Sequence, residues 1–414
     1  YPDGRPFWKG IQLDEVGFPI LLAAKLREAG QLDADEGALV GLRNMVENAV
    51  RFIVRNGPIT PEDRWEENSG LNGFTLAVLI AALVAGAEWL QGEAQAMALA
   101  TADDWNARIE EWTYAEGTAL AKAHGVAGHY IRLAPLAGIP LADQQIEVRN
   151  REGLKMPVCD IVAMDFLALA RFGLRKADDT RMQNTVKVCD AVLGTDTPNG
   201  QVFHRYNEDG YGEHADGAPF DGTGIGRGWP LLGGERGHLA LMSGEDARPY
   251  LAAMAAMTSP CGMIPEQVWD TSPLPDVFLA PGAPSGSAMP LVWAHSEYLK
   301  LASAIVSGRP VELLQSVERR YDGQRPAPKL RHWRSDTPVD TIAKGATLRI
   351  EDINSFTLRV TFDDWADMQD LASIPQAFGM HAVVLDLDQR VVKIEFTRFY
   401  LEGWEGKNHE VDVV

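Results

Sequence analysis

The chain has 414 residues, with 46% hydrophobic and 23% charged side chains and a formal net charge of -20 at pH 7. That length predicts two domains, or one large toroid or barrel with an appendage, and the composition excludes a disordered or fibrous protein. The negative charge repels phosphate backbones and anionic lipid headgroups, so we expect neither a nucleic-acid partner nor a membrane partner.

Apolar-periodic segments alternate with loops rich in Gly, Pro and Asp from residue 12 to about residue 308, a pattern typical of helical hairpins. The run from Phe74 to Ala87 is apolar apart from Thr75 and is too short to cross a bilayer, so it predicts a buried helix. About nine or ten helices are expected. The segments with helical periodicity are 12–29, 36–55, 72–92, 94–109, 158–172, 178–193, 233–243, 246–258 and 288–306.

The pattern changes period in the last part of the chain. Apolar and polar side chains alternate there, as they do in a half-buried strand. The last two expected strands flank Asp388 and Gln389, which predicts a hairpin within a small antiparallel sheet. The expected strands are 355–362, 382–387 and 390–396.

This change of pattern divides the chain. Residues 322–330 have the composition of a linker, so we expect a helical domain over residues 1–321 and a C-terminal β domain or extension over residues 331–414. The three widely spaced cysteines predict neither a disulfide framework nor a zinc site. The nine histidines include no pair at metal-ligand spacing, so no metal is expected.

The loop before the helix expected at 72–92 carries the sequence Asp-Arg-Trp-Glu-Glu at 63–67. Adjacent like charges and a tryptophan raise the pKa of a carboxyl group, which suits a general acid that must stay protonated near neutral pH. Glu66 is the candidate for that acid. Acidic residues before a helix also complement the helix dipole, so this sequence alone does not separate the two explanations.

A second acid, Glu266, lies in a loop among apolar and aromatic residues, in the sequence Pro-Glu-Gln-Val-Trp at 265–269. Cleavage of a glycosidic bond needs two carboxyl groups, one to protonate the leaving oxygen and one to activate water or attack carbon. A single loop glutamate is more often simply solvated. The two loops together suggest a glycosidase, whereas neither does so alone.

Between these loops the chain carries Arg205, Asp209 and Trp229 among further aromatic residues. A guanidinium and a carboxylate bind hydroxyl groups in pairs, and aromatic rings stack on the apolar faces of sugars. A surface loop held by an Arg–Asp pair is the alternative, but it does not explain so many aromatic side chains. Gln12 and Asp14 precede the first helix, where Asp14 also suits a helix cap.

In this order, the sequences resemble the glucoamylase and glucodextranase family of inverting glycoside hydrolases, in particular its bacterial branch. They are Trp-x-x-x-Gln-x-Asp from Trp8, Trp-Glu-Glu at 65–67, Arg-Tyr-x-Glu-Asp at 205–209 and Glu-Gln at 266–267. The resemblance covers residues 1–321. It implies a mainly α fold, an (α/α)6 barrel of helical hairpins whose first helices and Trp-Pro-Arg-Asp motif are missing from this chain. An N-terminal fragment that completes the barrel is therefore an expected partner.

The resemblance also implies the roles of the site residues. Glu66 is expected to be the general acid and Glu266 the general base. No cofactor is required, and the sequence leaves a structural Ca²⁺ open. The residues implied to bind sugar are Trp8, Gln12, Asp14, Trp65, Glu67, Arg205, Asp209, Trp229 and Trp293.

The implied activity is that of a glucan 1,4-α-glucosidase, which removes β-glucose from the non-reducing ends of glucans with inversion. An α-1,6-specific glucodextranase or isomaltose hydrolase, or a trehalase, would use the same two carboxylates, and the sequence does not separate them. A non-catalytic carbohydrate-binding protein is the alternative from another class, and the presence of both Glu66 and Glu266 disfavours it. A lyase of anionic polysaccharides is disfavoured by the net charge. The family implies a periplasmic or secreted location.

Overall fold

The computed structural model describes residues 2–3, 5, 9–32 and 36–414. Within these ranges the first part of the chain is mainly helical and the last part consists of strands. No helix in this described part is long and apolar enough to cross a membrane. The helices are α1 Leu13–Glu28, α2 Glu36–Asn56, α3 Gly73–Ala87, α4 Gly92–Thr113, α5 Ala119–Ala123, α6 Leu167–Arg171, α7 Thr180–Leu193, α8 Pro230–Met242, α9 Arg248–Ala256, α10 Val292–Ser307 and α11 Gln315–Tyr321.

Helix α3 lies at the centre of the helical part, and every one of its residues is buried. Its sequence explains this, because a helix that is apolar on all sides is stable only when neighbours surround it. Helices α1, α2, α4, α6 and α11 pack against it. Its N-terminus is capped by Asn72, whose side chain accepts a hydrogen bond from the backbone N–H of Thr75. The predicted buried helix is confirmed.

One predicted helix, 158–172, is wrong. Only the short helix α6 forms there, preceded by 3₁₀ turns at Val158–Asp160 and Met164–Phe166. Between those turns the backbone of Ala163 is extended and forms a β-bridge with Tyr206. The bridge ties this segment to the loop that carries Arg205, which a continuous helix would not permit.

Three two-stranded antiparallel ribbons lie within the helical part. The third packs against α8 and α9 and leads into the long loop before α8. Long loops on a rigid scaffold are common places for functional residues. The ribbons are β1 Tyr114–Glu116 with β2 Gly128–Tyr130, β3 Gln145–Glu147 with β4 Lys155–Pro157, and β5 Gly194–Thr197 with β6 Gly200–Phe203.

The remaining strands form two sheets that share one hydrophobic core, separate from the core of the helices. The strands are β7 Leu330–Trp333, β8 Thr341–Ile342, β9 Thr347–Asp352, β10 Thr357–Thr361, β11 Gln369–Ala372, β12 Ile374–Pro375, β13 His381–Asp386, β14 Lys393–Tyr400, β15 Gly403–Trp404 and β16 His409–Val413. One sheet has the order β11-β10-β14-β16-β8, with β15 paired to β14. The other has the order β12-β13-β9-β7.

The predicted hairpin around Asp388 and Gln389 is wrong, because β13 and β14 belong to different sheets. Both strands direct alternate side chains into the shared core, as Leu385 and Phe396 do, so the turn passes from one sheet to the other. The region is also not purely antiparallel, since β7 pairs with β9 and β8 with β16 in parallel. Alternation in a single strand indicates one buried face but does not identify the neighbouring strand.

The β region is attached to the helices by buried contacts. On α4, the guanidinium of Arg108 donates hydrogen bonds to the carbonyl groups of Thr337 and Pro338, at 3.0 and 2.5 Å. Phe378 and Met380, from the segment between β12 and β13, belong to the hydrophobic core of the helices. The two cores are therefore distinct, but the parts that contain them pack directly on each other.

Candidate active site

A cavity of about 580 Å³ lies where several loops of the helical part meet. It is lined by acidic groups, arginines and aromatic rings. Most residues that the sequence singled out line it, namely Trp65, Glu66, Glu67, Arg205, Trp229, Glu266 and Trp293. The further lining residues are Glu62, Arg64, Arg149, Asn150, Tyr211, Phe220 and Leu291.

Glu66 lies in a tight turn that Asp63 holds together. The backbone N–H of Glu66 donates to the carbonyl of Asp63 at 2.9 Å, and Asp63 Oδ1 accepts from the N–H groups of Trp65, Glu67 and Asn68 at 3.2, 3.0 and 3.4 Å. These bonds keep Glu66 at φ 60°, a left-handed conformation that costs a non-glycine residue roughly 1–3 kcal/mol. The turn leaves the side chain of Glu66 exposed at the cavity and buries that of Glu67.

The buried Glu67 is held by two arginines and a tyrosine. Its carboxylate accepts hydrogen bonds from Arg132 at 2.8 Å, from Arg205 at 2.7 Å and from the hydroxyl of Tyr206 at 2.6 Å. Arg205 also donates to both oxygens of Asp209, at 2.7 and 2.8 Å. Because a buried charge is stable only when it is paired, this network fixes the guanidinium of Arg205 in the cavity wall.

Aromatic rings form a continuous part of the wall. The ring centroid of Trp65 lies 5.2 Å from that of Trp229 and 5.5 Å from that of Trp293, and the ring of Tyr211 lies 6.2 Å from that of Trp229. The guanidinium of Arg64 lies 4.6 Å from the ring of Trp65. The indole N–H groups of Trp65 and Trp229 are buried and have no acceptor among the described residues. The wall therefore offers ring faces to a ligand.

Glu266 lies in the loop between α9 and α10 and is 9% exposed, so it is far more buried than Glu66. Its backbone N–H donates to the carbonyl of Ala288 at 2.8 Å. The side chain of the neighbouring Gln267 donates to the carbonyl of Tyr211 at 3.0 Å. These contacts join the loop of Glu266 to the loop that follows Arg205.

The pKa values of both candidate catalytic acids are raised. Burial raises the pKa of Glu266, and a hydrogen bond from Tyr211 and the positive charge of Arg205 oppose that rise. Partial burial also raises the pKa of Glu66, and nearby carboxylates, first among them Glu62, raise it further. The sequence predicted a raised pKa at Glu66 from adjacent acids, but Glu62 contributes rather than the adjacent Glu67, which is paired with arginines.

Gln12 and Asp14 are buried and are not among the residues that line the cavity. Gln12 Nε2 donates to the carbonyl of Asp63 at 2.8 Å, and the hydroxyl of Thr75 donates to Asp14 at 2.9 Å. Burial raises the pKa of Asp14 to about 6, against the opposing effect of the Thr75 hydrogen bond. The structure therefore places Gln12 where it supports the turn, whereas Asp14 joins the start of α1 to the start of α3.

Two further predicted site residues remain, Asp209 and Trp8. Asp209 is buried beside Arg205 and is not among the lining residues. Trp8 lies outside the residues that the structure describes. Among the described residues, no group of three or more His, Cys, Asp and Glu side chains could hold a metal ion.

The structure adds residues to which the sequence assigned no role. Tyr211 and Phe220 line the cavity with ring centroids 5.0 Å apart, and Arg132 is buried against Asp63 and Glu67. Tyr211 follows closely after the Arg-Tyr-x-Glu-Asp sequence, so its aromatic character was a usable signal. Arg132 has no such signal, because its role depends on two carboxylates far away in the chain.

Comparison with known proteins adds independent information. Residues 2–303 match the family described as glycosyl hydrolases family 15. The chain is 36% identical over 322 residues to a glucoamylase from Clostridium sp. (strain G0005), which covers 77% of this chain and 42% of that protein. A crystal structure of a bacterial glucoamylase complexed with acarbose matches with a TM-score of 0.68 and 36% identity, over 78% of this chain and 44% of the other. The chain thus spans less than half the length of these relatives.

Proposed function

Because the chain belongs to glycosyl hydrolases family 15, we propose that it carries out exo-acting hydrolysis of α-glucosidic bonds at the non-reducing ends of glucans. One observation carries the proposal: Glu66 and Glu266, from loops far apart in the sequence, line a single cavity together with stacked aromatic rings. Two carboxyl groups beside aromatic faces are the groups that cleavage of a neutral sugar needs. The favoured linkage is α-1,4, as in a glucoamylase.

In the proposed mechanism, Glu66 donates its proton to the glycosidic oxygen while Glu266 removes a proton from a water molecule on the opposite face of the sugar. The water oxygen bonds to the anomeric carbon as the bond to the leaving oxygen breaks, so the configuration inverts and β-glucose is released. This geometry requires the two carboxyl groups to lie about 6.5–9.5 Å apart in the complex, which leaves room for the water.

The surroundings of the two carboxyl groups support this division of roles. Partial burial and neighbouring carboxylates raise the pKa of Glu66 and favour its protonated form, as an acid requires. Burial raises the pKa of Glu266, but Tyr211 and Arg205 favour its ionised form, as a base requires. The pKa of both groups is raised, and the proposed base is the group at which a hydrogen-bond donor and a cation oppose that rise.

We propose that the wall of the cavity holds the glucose unit at the cleavage point. Trp65, Trp229 and Trp293 supply ring faces, and Arg205 supplies N–H donors to hydroxyl groups. Glu67 and Asp209 hold that guanidinium in place, Gln12 holds the turn of Glu66, and Asp14 joins α1 to α3. Trp8 is proposed as a further ring on the basis of the family resemblance alone.

We also propose that the helices form part of an (α/α)6 barrel that further helices complete. Helix α1 exposes Phe18, Leu22 and Leu26, and α10 exposes Leu299 and Val306. Side chains spaced by four or seven positions share a helix face, so each set is an apolar stripe of the kind that a neighbouring helix covers. The expected cover is the N-terminal segment of such a barrel, on the same chain or on a separate one. A crystal structure of the natural protein with solvent on both stripes would exclude it.

We propose that the chain divides into a catalytic part over residues 1–321, a linker over 322–330 and a β part over 331–414. The family match over residues 2–303 and the two separate hydrophobic cores support it.

The decisive experiment follows the anomeric form of the released sugar by proton NMR, with maltotriose and isomaltotriose as substrates and the natural protein that contains this chain as the enzyme. We expect β-glucose as the first product, because attack from the face opposite the leaving group inverts the anomeric carbon. The ratio of the two initial rates identifies the preferred linkage, and we expect maltotriose to react faster.

Other outcomes of the same experiment would change the proposal. Initial release of α-glucose would contradict the inverting assignment of Glu266. Faster release from isomaltotriose would identify an α-1,6 enzyme with the same two carboxylates. Binding of either sugar without any hydrolysis would indicate a carbohydrate-binding protein rather than an enzyme.

A further inference from the structure

A second cavity, which we call the rear cavity, adjoins the first at Glu266. It has a volume of about 390 Å³ and shares Tyr211, Phe220 and Glu266 with the first cavity. Glu213 and Gln267 also line it. Glu266 therefore lies in the wall of both cavities, and the proposed mechanism assigns no role to the rear cavity.

Three residues that line the rear cavity each carry a buried side-chain oxygen with no hydrogen-bond donor within the described part of the chain. These oxygens are Glu213 Oε2, Glu266 Oε1 and Gln267 Oε1, from residues that are 5%, 9% and 1% exposed. A buried acceptor without a donor is costly, and such groups are usually satisfied by a buried water molecule. The cavity is large compared with the about 30 Å³ that one water occupies in the liquid, so it has room for several.

The protein groups around the rear cavity are already committed to other bonds. Glu213 Oε1 accepts from the N–H of Gly286 at 2.5 Å, which fixes that carboxylate. The amide nitrogen of Gln267 donates to the carbonyl of Tyr211, which leaves its oxygen as the unpaired atom. The hydroxyl of Ser287 accepts from the backbone N–H of Gln267 at 2.9 Å and donates to its carbonyl at 3.3 Å. Apart from the Tyr211 hydroxyl beside Glu266, water in the cavity is therefore the remaining source of donors for these side chains.

An exo-acting site creates a need for such a cavity. When the end of a glucan chain fills the first cavity, the sugar blocks the path along which solvent would otherwise reach Glu266. The hydrolytic water has to stand on the face of the sugar opposite the leaving group, and each turnover consumes one. We propose that the rear cavity holds a chain of hydrogen-bonded waters that supplies the hydrolytic water to Glu266, with Glu213 as the residue that positions the chain.

This proposal rests on the role of Glu266 as general base, and its chemistry balances. Water loses a proton to Glu266 as its oxygen bonds to the anomeric carbon, and the leaving oxygen takes the proton of Glu66. Glu266 then passes its proton through the waters of the rear cavity to bulk solvent, and a water from the same cavity takes the vacated position. Glu66 regains a proton from solvent through the first cavity after the product leaves. The negative charge of Glu213 raises the pKa of Glu266 and thus opposes its ionisation, a cost that the positioning of water offsets.

The test compares Glu213→Leu with Glu213→Gln in the natural protein. Leucine removes the polar end of the side chain, so we expect a roughly tenfold fall in kcat, a fraction of the 10²–10⁴ that general base catalysis supplies, with KM for maltotriose unchanged. Glutamine keeps an acceptor and is expected to lose much less of kcat. It also removes the charge that raises the pKa of Glu266, so the rise of kcat with pH should move to lower pH. Leucine also removes the bond from Gly286, so a lower melting temperature is expected in either case; a merely structural role for Glu213 predicts that KM changes as well, and that the pH dependence of kcat in Glu213→Gln stays in place.

A second variant tests the cavity without touching Glu213. Val277 lines the rear cavity and is 48% exposed, so Val277→Trp narrows it from the solvent side with little risk to folding. We expect kcat to fall while KM and the affinity for acarbose stay the same. The matched control is Val384→Trp on β13, where the side chain is 46% exposed.

The outcomes separate this inference from the proposed function. If Glu266→Ala abolishes hydrolysis but Glu213→Leu and Val277→Trp leave kcat unchanged, the rear-cavity supply is wrong and the proposed function stands. If Glu266→Ala keeps full hydrolysis, both fall. A high-resolution crystal structure with ordered waters linking Glu213, Gln267 and Glu266 would support the inference. A metal ion bound to those oxygens would overturn it.

Discussion

The two loops that carry Glu66 and Glu266 hold their carboxyl groups in opposite ways. The first holds Glu66 exposed, in a left-handed backbone conformation, and nearby carboxylates including Glu62 help to raise its pKa. The second buries Glu266 on a loop fixed through Ala288, and its neighbours Tyr211 and Arg205 oppose the rise in pKa. Burial raises the pKa of both carboxyl groups; like charges add to the rise at Glu66 and donors oppose it at Glu266, a difference that suits the proposed roles of acid and base.

The largest expected effect comes from removing either carboxyl group. We expect Glu66→Ala and Glu266→Ala each to lower kcat/KM for maltotriose by about 10²–10⁴, because each removes one partner of proton transfer. A glucosyl fluoride substrate distinguishes the two variants, because fluoride leaves without being protonated. On that substrate the Glu66→Ala variant should react nearly as fast as the unmodified protein, whereas the Glu266→Ala variant should remain slow.

Glu47→Ala provides the matched control for that comparison. Glu47 lies on α2 with an exposed ion pair to Arg51 and is absent from the cavity lining. Its rate on both substrates should equal that of the unmodified protein. If the two catalytic variants respond alike to glucosyl fluoride, the distinction between acid and base is wrong.

A smaller effect is expected from the bonds that hold each loop. Asp63→Ala removes the acceptor of three backbone N–H groups and the buried partner of Arg132, so we expect it to lower the free energy of unfolding by about 3–5 kcal/mol. Ser287→Ala removes one hydroxyl bonded to the loop of Glu266 and should cost only about 1 kcal/mol. Urea unfolding measures both values.

The exposed pair of Asp246 with Arg248 supplies the control, because Asp246→Ala breaks an ion pair of similar length on the surface. Its cost should be much smaller than that of Asp63→Ala, because solvent screens an exposed ion pair. A cost for Asp63→Ala no larger than that of Asp246→Ala would mean that the turn of Glu66 does not depend on Asp63.

The sequence predicted the features that depend on residues close together in the chain. Helix α3 is apolar on all sides and must be buried, and the Trp-Glu-Glu and Glu-Gln sequences name side chains that the structure places in one cavity. The prediction failed for features that depend on contacts between distant residues. The pairing of β13 and β14 with other strands, the bridge that breaks the helix expected at 158–172, and the burial of Arg132 against Glu67 all depend on segments far apart in the chain.

The same limit applies within the site. A linear pattern identifies Gln12, Asp14 and Asp209, but it does not distinguish a side chain in the cavity wall from one that supports the wall from behind. Only the fold shows that Gln12 bonds to the carbonyl of Asp63 and that Asp209 bonds to Arg205. Residues that act through another residue therefore look the same in the sequence as residues that touch a ligand.

The smallest expected effects are shifts in the pH profile of kcat/KM, which reports the ionisation of the free enzyme. Activity requires ionised Glu266, so it rises as pH passes the pKa of Glu266, and it requires protonated Glu66, so it falls as pH passes the pKa of Glu66. Glu62→Gln removes a charge that raises the pKa of Glu66, and the falling limb should therefore move to lower pH. Tyr211→Phe removes a hydrogen bond that lowers the pKa of Glu266, and the rising limb should therefore move to higher pH.

The two variants narrow the active pH range from opposite ends, which makes them controls for each other. A general disturbance of the cavity would lower the rate at every pH and leave both limbs in place. If Glu62→Gln moves the rising limb, or Tyr211→Phe moves the falling one, the roles of acid and base must be exchanged between Glu66 and Glu266. The pH profile therefore tests the assignment of roles even where the change in rate is small, because the direction of each shift follows from which carboxyl group the altered residue faces.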